Sequence, residues 1–214
     1  MSRTSKCLSS APDTEVVAEI ARVLTEGGAV VMPTETQYGL AVRADRANAL
    51  TRICEIKKRD ANLRPALFVK DLKMAETFCH ISSAARLLAE QFLPGPITLV
   101  LPAISGQRVI SADFISEQGV GIRISSSPLV KAVMDAVAFP ITATSANQSG
   151  KITPATVDEI KKDLGDTVDL YVDGGPSRGI VPSTVVKVND DMEILRHGAI
   201  PEREIAAALQ KGMR

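Results

Sequence analysis

The sequence predicts an α/β fold built on a twisted sheet that mixes parallel and antiparallel strands, with flanking helices. Strand and helix patterns alternate along the first half of the chain, which favours parallel pairing. The last two strands are separated only by the polar segment Asn189-Asp190-Asp191, which favours an antiparallel hairpin. No repeat, low-complexity tract or linker divides the chain. We therefore expect one domain over residues 13–214, preceded by a tail over residues 1–12.

Helix caps and apolar periodicity locate the first elements. Asp13 is a typical N-cap, and apolar residues at helical spacing follow it until Gly27 and Gly28 end the helix. Residues 29–32 then form an apolar run typical of a buried strand. The next expected elements are a helix over about 46–58, a strand over 67–69 and a helix from Asp71.

Pro94-Gly95-Pro96 marks a clear boundary in the middle of the chain. A helix capped by Ser82 or Ser83 must end before it, because proline cannot continue a helix. The apolar strand 97–101 follows at once. Later strands are expected near 120–124, 139–143, 168–172, 183–188 and 193–195, and helices near 128–137, 154–164 and 201–211.

Composition excludes several classes of protein. The 214 residues include 25 basic and 25 acidic ones, so the chain lacks the global positive field of proteins that coat nucleic acid. Cys7, Cys54 and Cys79 are odd in number and lack CxxC spacing, which indicates reduced thiols. Neither a secretory signal nor a run of about 18 apolar residues is present, so we expect a cytoplasmic protein without a membrane partner.

Polar side chains follow the predicted strand 29–32 in the segment PTETQYGL. Open α/β sheets form ligand crevices at such strand ends, and the segment offers two threonine hydroxyls, Thr34 and Thr36, and the phenol of Tyr38. A simple strand-to-loop transition, with threonine favoured for its branched Cβ, explains the same residues.

Cations gather at the end of the predicted helix 46–58. Lys57, Lys58 and Arg59 are followed by Arg64 five residues later. A solvated helix end explains them, because cations offset the helix dipole there. A clamp on a polyphosphate explains them too, since arginine offers a planar fork of donors and lysine a compact charge.

Two further segments carry small polar side chains. TATSANQSG, residues 142–150, begins at a strand end and is rich in donors that can approach an anion closely. The glycine loop 173–179 precedes Ser183 and Thr184, and Arg196 ends the next strand, so a hydroxyl and a guanidinium could face one crevice. Turn chemistry and a surface arginine are the alternative.

The familiar catalytic motifs are missing from the sequence. It contains no GxxxxGK[ST], GxGxxG, HExxH or GxSxG. Its two histidines, His80 and His197, have no partner at metal-ligand spacing, so we expect them to be structural or surface residues and expect no protein-bound metal.

Taken together, PTETQYGL, KKR, PGPITLVL, GVGIRI, TATSANQSG, STVVKV and ILRHGAIP resemble, in this order, the YrdC-like family of threonylcarbamoyl-AMP synthases. The resemblance spans about residues 32–201. It implies a single α/β domain whose twisted sheet and helices surround a basic cavity for ATP and threonine. It also implies tRNA modification as the purpose of the product.

The resemblance implies residue roles as well. The family pairs Lys-x-Arg with Ser-x-Asn, which match the expected catalytic residues Lys57, Arg59, Ser145 and Asn147. Threonine is expected at Thr36, Arg123 and Ser183, with Arg123 suited to the carboxylate. ATP is expected at Lys57, Arg59, Arg64, Ser145, Asn147, Thr153 and Arg196. Thr34 and Thr153 match more weakly.

The implied reaction needs no covalent enzyme intermediate. Threonine captures carbon dioxide or bicarbonate as a carbamate, which attacks the α-phosphate of ATP and expels pyrophosphate, with Mg²⁺ on the phosphates. Threonylcarbamoyl-transfer machinery would use the product, and tRNA is a further expected partner. Two alternatives stay open: a module of the same fold that binds double-stranded RNA or serves ribosome maturation, and a carbamoyl-transfer enzyme with another acceptor.

Overall fold

The computed structural model describes residues 2–59, 64–177, 181–189 and 192–212. Over these residues ten strands form one mixed sheet in the order β1-β8-β2-β3-β7-β4-β6-β5-β9-β10, so the predicted fold class is confirmed. The strands are β1 (Arg3–Lys6), β2 (Val30–Pro33), β3 (Tyr38–Ala41), β4 (Ala66–Phe68), β5 (Ile97–Leu101), β6 (Val120–Arg123), β7 (Ile141–Ser145), β8 (Leu170–Asp173), β9 (Thr184–Val188) and β10 (Met192–Arg196).

Seven α-helices of the described residues flank this sheet. They are α1 (Thr14–Thr25), α2 (Ala49–Lys57), α3 (Leu72–Glu76), α4 (Ser83–Phe92), α5 (Pro128–Ala136), α6 (Val157–Leu164) and α7 (Glu202–Gly212). Asp13 caps α1 and Ser82 caps α4, as the sequence predicts. Thr156 and Glu159 form a reciprocal capping box on α6.

Apolar residues pack in two clusters on opposite faces of the sheet. One cluster joins Val31, Leu40 and Leu67 of the strands to residues of α2, α4, α6 and α7. The other joins Val30 and Met32 to α1 and α5. Because successive side chains of a strand point to opposite faces, these runs are apolar throughout and are buried from both sides.

Strand pairing bears out the predicted mixture. β9 and β10 pair antiparallel, although Asp190 and Asp191 of their connection lie outside the described residues. β5 pairs with β9 in parallel, and β4 pairs with β6 in parallel. The sequence did not predict β3, which pairs antiparallel with β2. The hairpin gives a weak signal because β3 has only four residues, one of them Gly39, and glycine within a strand weakens it.

The segment 1–12, predicted as a tail, contains an edge strand. β1 pairs in parallel with β8 through the register Arg3 with Leu170 to Lys6 with Asp173. Its side chains are mostly exposed, so apolar patterning gives no signal for it. Backbone pairing with β8 places it in the sheet, together with polar side-chain contacts such as the ion pair between Arg3 and Glu19 at 3.0 Å.

The cysteines and histidines agree with the expectations from composition. All three cysteines are free thiols, and both histidines are exposed. Within the described ranges, every helix is too short or too polar to cross a bilayer.

Candidate functional site

A cavity of about 880 Å³ opens on one face of the sheet. Its floor takes every second residue of three strands: Ala66 and Phe68 of β4, Thr98 and Val100 of β5, and Gly121 and Arg123 of β6. From β7 it takes Ala143, Thr144 and Ser145. The intervening Leu67, Leu99 and Ile122 belong to the core on the opposite face. The alternation of side chains thus places the cavity on the face that carries α1 and α5.

The cavity is strongly basic. Among the described residues, four arginines line it, Arg59, Arg64, Arg123 and Arg196, against one carboxylate, Glu117 at an exposed turn. Burial lowers the pKa of Arg59, and the charge of Arg64 acts in the same direction. Burial likewise lowers the pKa of Arg196, with a smaller effect from the charge of Arg123. Such a concentration of guanidinium groups suits anionic ligands.

Arg123 is fixed at the end of β6 by the segment that joins β2 to β3. Its Nη2 lies 2.8 Å from Oε1 of Glu35 and donates a hydrogen bond of 3.1 Å to Oγ1 of Thr36. The face of Phe68 packs against the guanidinium at 5.6 Å. Its buried Nε–H has no acceptor among the residues that the structure describes, so one donor of this guanidinium is unsatisfied within the protein.

Ser183 and Arg196 form the wall beside Arg123. Arg196 donates from Nη2 to the carbonyl oxygen of Ser183 at 2.8 Å and to its hydroxyl at 3.0 Å. The Ser183 hydroxyl also lies 2.9 Å from that of Thr98. Gly198 lets the chain after β10 pass close to the backbone of Pro182 and Ser183. A Cβ at this position would lie only 2.5 Å from the Pro182 carbonyl oxygen.

The turn between β2 and β3 is held by its own hydroxyls. Oγ1 of Thr34 donates to the carbonyl oxygen of Gln37 at 2.6 Å and lies 3.1 Å from Oγ1 of Thr36. Both threonines line the cavity. The Tyr38 phenol, expected to be available, instead donates to the carbonyl oxygen of Gly175 at 2.6 Å, so it anchors the glycine loop.

Lys57, at the end of α2, holds the Ser-x-Asn turn from behind. Its Nζ donates to the carbonyl oxygens of Ser145 and Asn147, the latter at 2.8 Å, and lies 3.3 Å from Oδ1 of Asn147. Burial, reinforced by the charge of Arg59, lowers the pKa of Lys57 to about 7. Lys57 is not among the residues that line the cavity.

The remaining predicted site residues divide between the cavity wall and its support. Ser145 lines the cavity and donates from its hydroxyl to Oδ1 of Asn147 at 2.5 Å. Asn147 and Thr153 lie behind the wall, joined by a hydrogen bond of 3.3 Å. Arg178 and Gly179 of the predicted glycine loop lie outside the described residues.

Sequence reasoning missed two residues of this site. Glu35 pairs with Arg123 and accepts hydrogen bonds from the Ser125 hydroxyl and the Ser126 N–H. Thr98 supports Ser183 from the centre of β5. The sequence could have identified both residues. Glu35 is a charged residue just after a fully buried strand, and Thr98 is a polar residue within an apolar strand.

The donor set does not form a metal cage. Within the described ranges, no three His, Cys, Asp or Glu side chains lie close enough together to hold an ion. In the part of the chain that the structure describes, the polar lining of the cavity is mainly arginines and hydroxyls, whose N–H and O–H donors suit an anion.

Fold and site together define an α/β protein with a basic, hydroxyl-lined cavity. The family model for Sua5/YciO/YrdC proteins, described as telomere recombination, matches residues 22–198. The chain therefore belongs to the Sua5/YciO/YrdC family.

Named relatives include a Methanocaldococcus jannaschii protein, provisionally named a threonylcarbamoyl-AMP synthase, with 33% identity over 90% of both chains. The threonylcarbamoyl-AMP synthase of Bacillus subtilis is 34% identical over 90% of this chain and 56% of its own length. The structure of Pyrococcus abyssi Sua5 complexed with L-threonine is 29% identical, with a TM-score of 0.88 over 97% of this chain and 61% of that one. This chain thus spans little more than half of the last two relatives.

Proposed function

We propose that this protein makes L-threonylcarbamoyl-adenylate from L-threonine, bicarbonate and ATP, with release of pyrophosphate. The observation that carries the proposal is a single basic cavity with two distinct ends. One end presents Arg123 with Thr36 and Ser183, and the other presents Arg59 and Ser145. Relatives of the same family are named for this activity, and one is complexed with L-threonine.

The Arg123 end suits the amino acid. A guanidinium fixed in a buried site binds a carboxylate through directed, charge-assisted hydrogen bonds. Thr36 and Ser183 add hydroxyls within the same wall. Phe68 and Val100 add apolar surface for a methyl group. Such a contact discriminates threonine from serine by only about 1–3 kcal/mol.

The other end suits the nucleotide. Arg59 and Arg64 supply positive charge for the phosphates, and Ser145 supplies a hydroxyl. Arg196 adds a further positive charge from its place beside Ser183. Lys57 and Asn147 act behind this wall by fixing the Ser145 turn. A direct contact of Lys57 with ATP stays a prediction, but its position favours a supporting role.

The chemistry then consists of positioning and charge neutralisation. The threonine amine combines with carbon dioxide derived from bicarbonate, and a carbamate oxygen attacks the α-phosphorus as pyrophosphate leaves. The sum is threonine, bicarbonate and ATP giving the adenylate, pyrophosphate and water. Guanidinium groups in a shielded cavity stabilise the charge that develops on the phosphates. A histidine base is not required.

We also propose that Mg²⁺ arrives with ATP. It would neutralise phosphate charge while bound to phosphate oxygens and water, since the described residues offer no cage of their own. The product would serve threonylcarbamoyl transfer to tRNA by other proteins, in the cytoplasm.

Pyrophosphate release tests the proposal. Purified protein with ATP, Mg²⁺ and bicarbonate should release pyrophosphate with L-threonine, more slowly with L-serine, and not without an amino acid or bicarbonate. Pyrophosphate release that does not depend on threonine would favour a carbamoyl-transfer enzyme with another acceptor. ATP binding without release, joined to RNA binding that weakens steeply with salt, would favour the RNA-binding alternative.

A further inference from the structure

Two buried hydroxyls on the cavity wall share one hydrogen bond. Oγ1 of Thr98 lies 2.9 Å from Oγ of Ser183, and the two residues are 3% and 4% exposed. Both residues line the cavity. Thr98 is the polar residue of β5, whose other residues are apolar. A hydroxyl buried at such a position costs free energy unless it finds hydrogen-bond partners.

The two hydroxyls have more protons than the protein has acceptors for them. Each hydroxyl carries one proton, and one of the two protons forms the bond between Thr98 and Ser183. The Ser183 oxygen also accepts a hydrogen bond of 3.0 Å from Nη2 of Arg196. Within the described part of the chain, neither hydroxyl has a further hydrogen-bond partner. One O–H donor of the pair is therefore left over, whichever way the shared bond runs.

Arg196 makes this remaining O–H a stronger donor. Its Nη2 donates to both the carbonyl and the hydroxyl oxygen of Ser183, so a cation stands at the head of a short chain of hydrogen bonds. Successive hydrogen bonds polarise one another in a shielded site. A polarised O–H group is best matched by a negatively charged acceptor.

The register of the sheet places this donor next to Arg123. Leu99 of β5 pairs with Ile122 of the antiparallel strand β6. One residue further along this ladder, Thr98 and Arg123 lie side by side and both line the cavity. Side chains directly opposite each other on neighbouring strands have Cβ atoms about 4.5–5.5 Å apart. One carboxylate can therefore meet the Arg123 guanidinium with one oxygen and the hydroxyl pair with the other.

We propose that Thr98 and Ser183 act as a unit that donates one hydrogen bond to the carboxylate of the amino-acid substrate, beside Arg123. Thr98 is thereby a further residue of the amino-acid site. It positions the Ser183 proton if it donates to Ser183, and it meets the carboxylate itself if Ser183 donates to it. The inference rests on the proposed function, since it takes threonine as the ligand at this end of the cavity.

A double-mutant cycle on threonine binding tests the pair. Calorimetric titration with L-threonine, without ATP or bicarbonate, should give a Kd about fivefold higher for Thr98→Val and about tenfold higher for Ser183→Ala. The double variant should resemble Ser183→Ala, because Thr98 has then already lost the partner through which it acts. Effects that multiply to about fiftyfold, or an unchanged Kd in Thr98→Val, would overturn the proposal.

Two further variants separate the hydroxyl from packing. Thr98→Ser keeps the hydroxyl, so its Kd for threonine should stay within about twofold of the wild type. A Thr98→Ser variant as weak as Thr98→Val would show that packing, and not the hydroxyl, is responsible. If Thr98→Val does not fold, Thr98→Ala repeats the cycle with the same expected and contrary results.

Thr142→Val is the matched control for loss of a buried hydroxyl. Thr142 is not among the residues that line the cavity, and its hydroxyl accepts from the Val42 N–H and donates to the Leu40 carbonyl oxygen. Its removal leaves two backbone groups without a partner, so the variant should melt at a lower temperature. Its Kd for threonine should equal that of the wild type, and a rise like that of Thr98→Val would count against a specific role of the pair.

Wild-type protein separates this inference from the proposed function. If it neither binds threonine nor releases pyrophosphate with it, both fail. If it releases pyrophosphate with threonine and Thr98→Val keeps the wild-type Kd, only the role of the hydroxyl pair fails. A rise confined to the KM for bicarbonate, with the threonine Kd unchanged, would place the pair at the carbamate and overturn the carboxylate contact.

Discussion

Lys57 and Arg123 are both buried cations, 3% and 6% exposed, yet the structure uses them differently. Lys57 donates to main-chain carbonyls of Ser145 and Asn147 and lies behind the cavity wall. Arg123 pairs with a carboxylate and lines the cavity. Burial of a cation thus does not reveal its purpose, whereas its partners do.

The largest effect is expected at Arg59, two residues after Lys57 but on the cavity wall. Arg59→Ala should lower kcat/KM by roughly 10³-fold, about 4 kcal/mol, because a phosphate charge loses its partner in a shielded cavity. Lys58→Gln, at an exposed neighbour, is the matched control and should turn over normally. Normal turnover of Arg59→Ala would remove Arg59 from the site.

Lys57→Met should lower the free energy of unfolding by about 3 kcal/mol, because two buried carbonyls lose their donor. Urea denaturation monitored by circular dichroism measures this change. A loss of ATP affinity without a loss of stability would instead indicate that Lys57 contacts the nucleotide directly. Lys57 and Arg123 would then both bind ligands, contrary to the supporting role assigned to Lys57.

Arg123→Lys should keep the charge opposite Glu35 but lose the planar fork of donors. We expect the KM for threonine to rise about thirtyfold, near 2 kcal/mol, while the KM for ATP stays within about threefold. Steady-state kinetics with each substrate varied separates the two. An equal rise in both values would show that Arg123 does not serve the amino acid specifically.

The smallest expected effect is a pH dependence of stability that comes from Lys57. Its pKa is lowered to about 7, whereas an unfolded lysine titrates near 10.4. Between these values the unfolded chain binds more protons, so stability rises with pH. From pH 7 to 9 the wild type should gain up to about 1 kcal/mol per pH unit relative to Lys57→Met. If the free energy of unfolding changed equally with pH in the wild type and in Lys57→Met, this result would contradict the lowered pKa of Lys57.

The fold was largely predictable because strong local signals mark its elements. Asp13, Ser82 and Pro94 bound helices, and the run at residues 97–101 is a buried strand as predicted. β1 and β3 were not predictable. The first is an exposed edge strand held by main-chain pairing and polar side-chain contacts, and the second is a four-residue strand that contains Gly39.

The site was predictable in its chemistry but not in its pairings. The motifs identify Thr36, Arg123 and Ser183, and these residues do line one cavity. The partner of Arg123 is Glu35, which is 88 residues away in the sequence, and only the sheet brings the two together. The Lys57 side chain likewise points towards the turn after Ser145 and not into the cavity, and only the folded structure shows where this turn lies.

The most direct test of the central claim follows the carbon of bicarbonate. The protein would be incubated with ¹⁴C-bicarbonate, ATP, Mg²⁺ and L-threonine, and the nucleotides then separated by chromatography. We expect label in an AMP adduct that forms only with threonine, together with an equal amount of pyrophosphate. Label that never joins a nucleotide, while ATP is cleaved to ADP and phosphate, would contradict the synthase function.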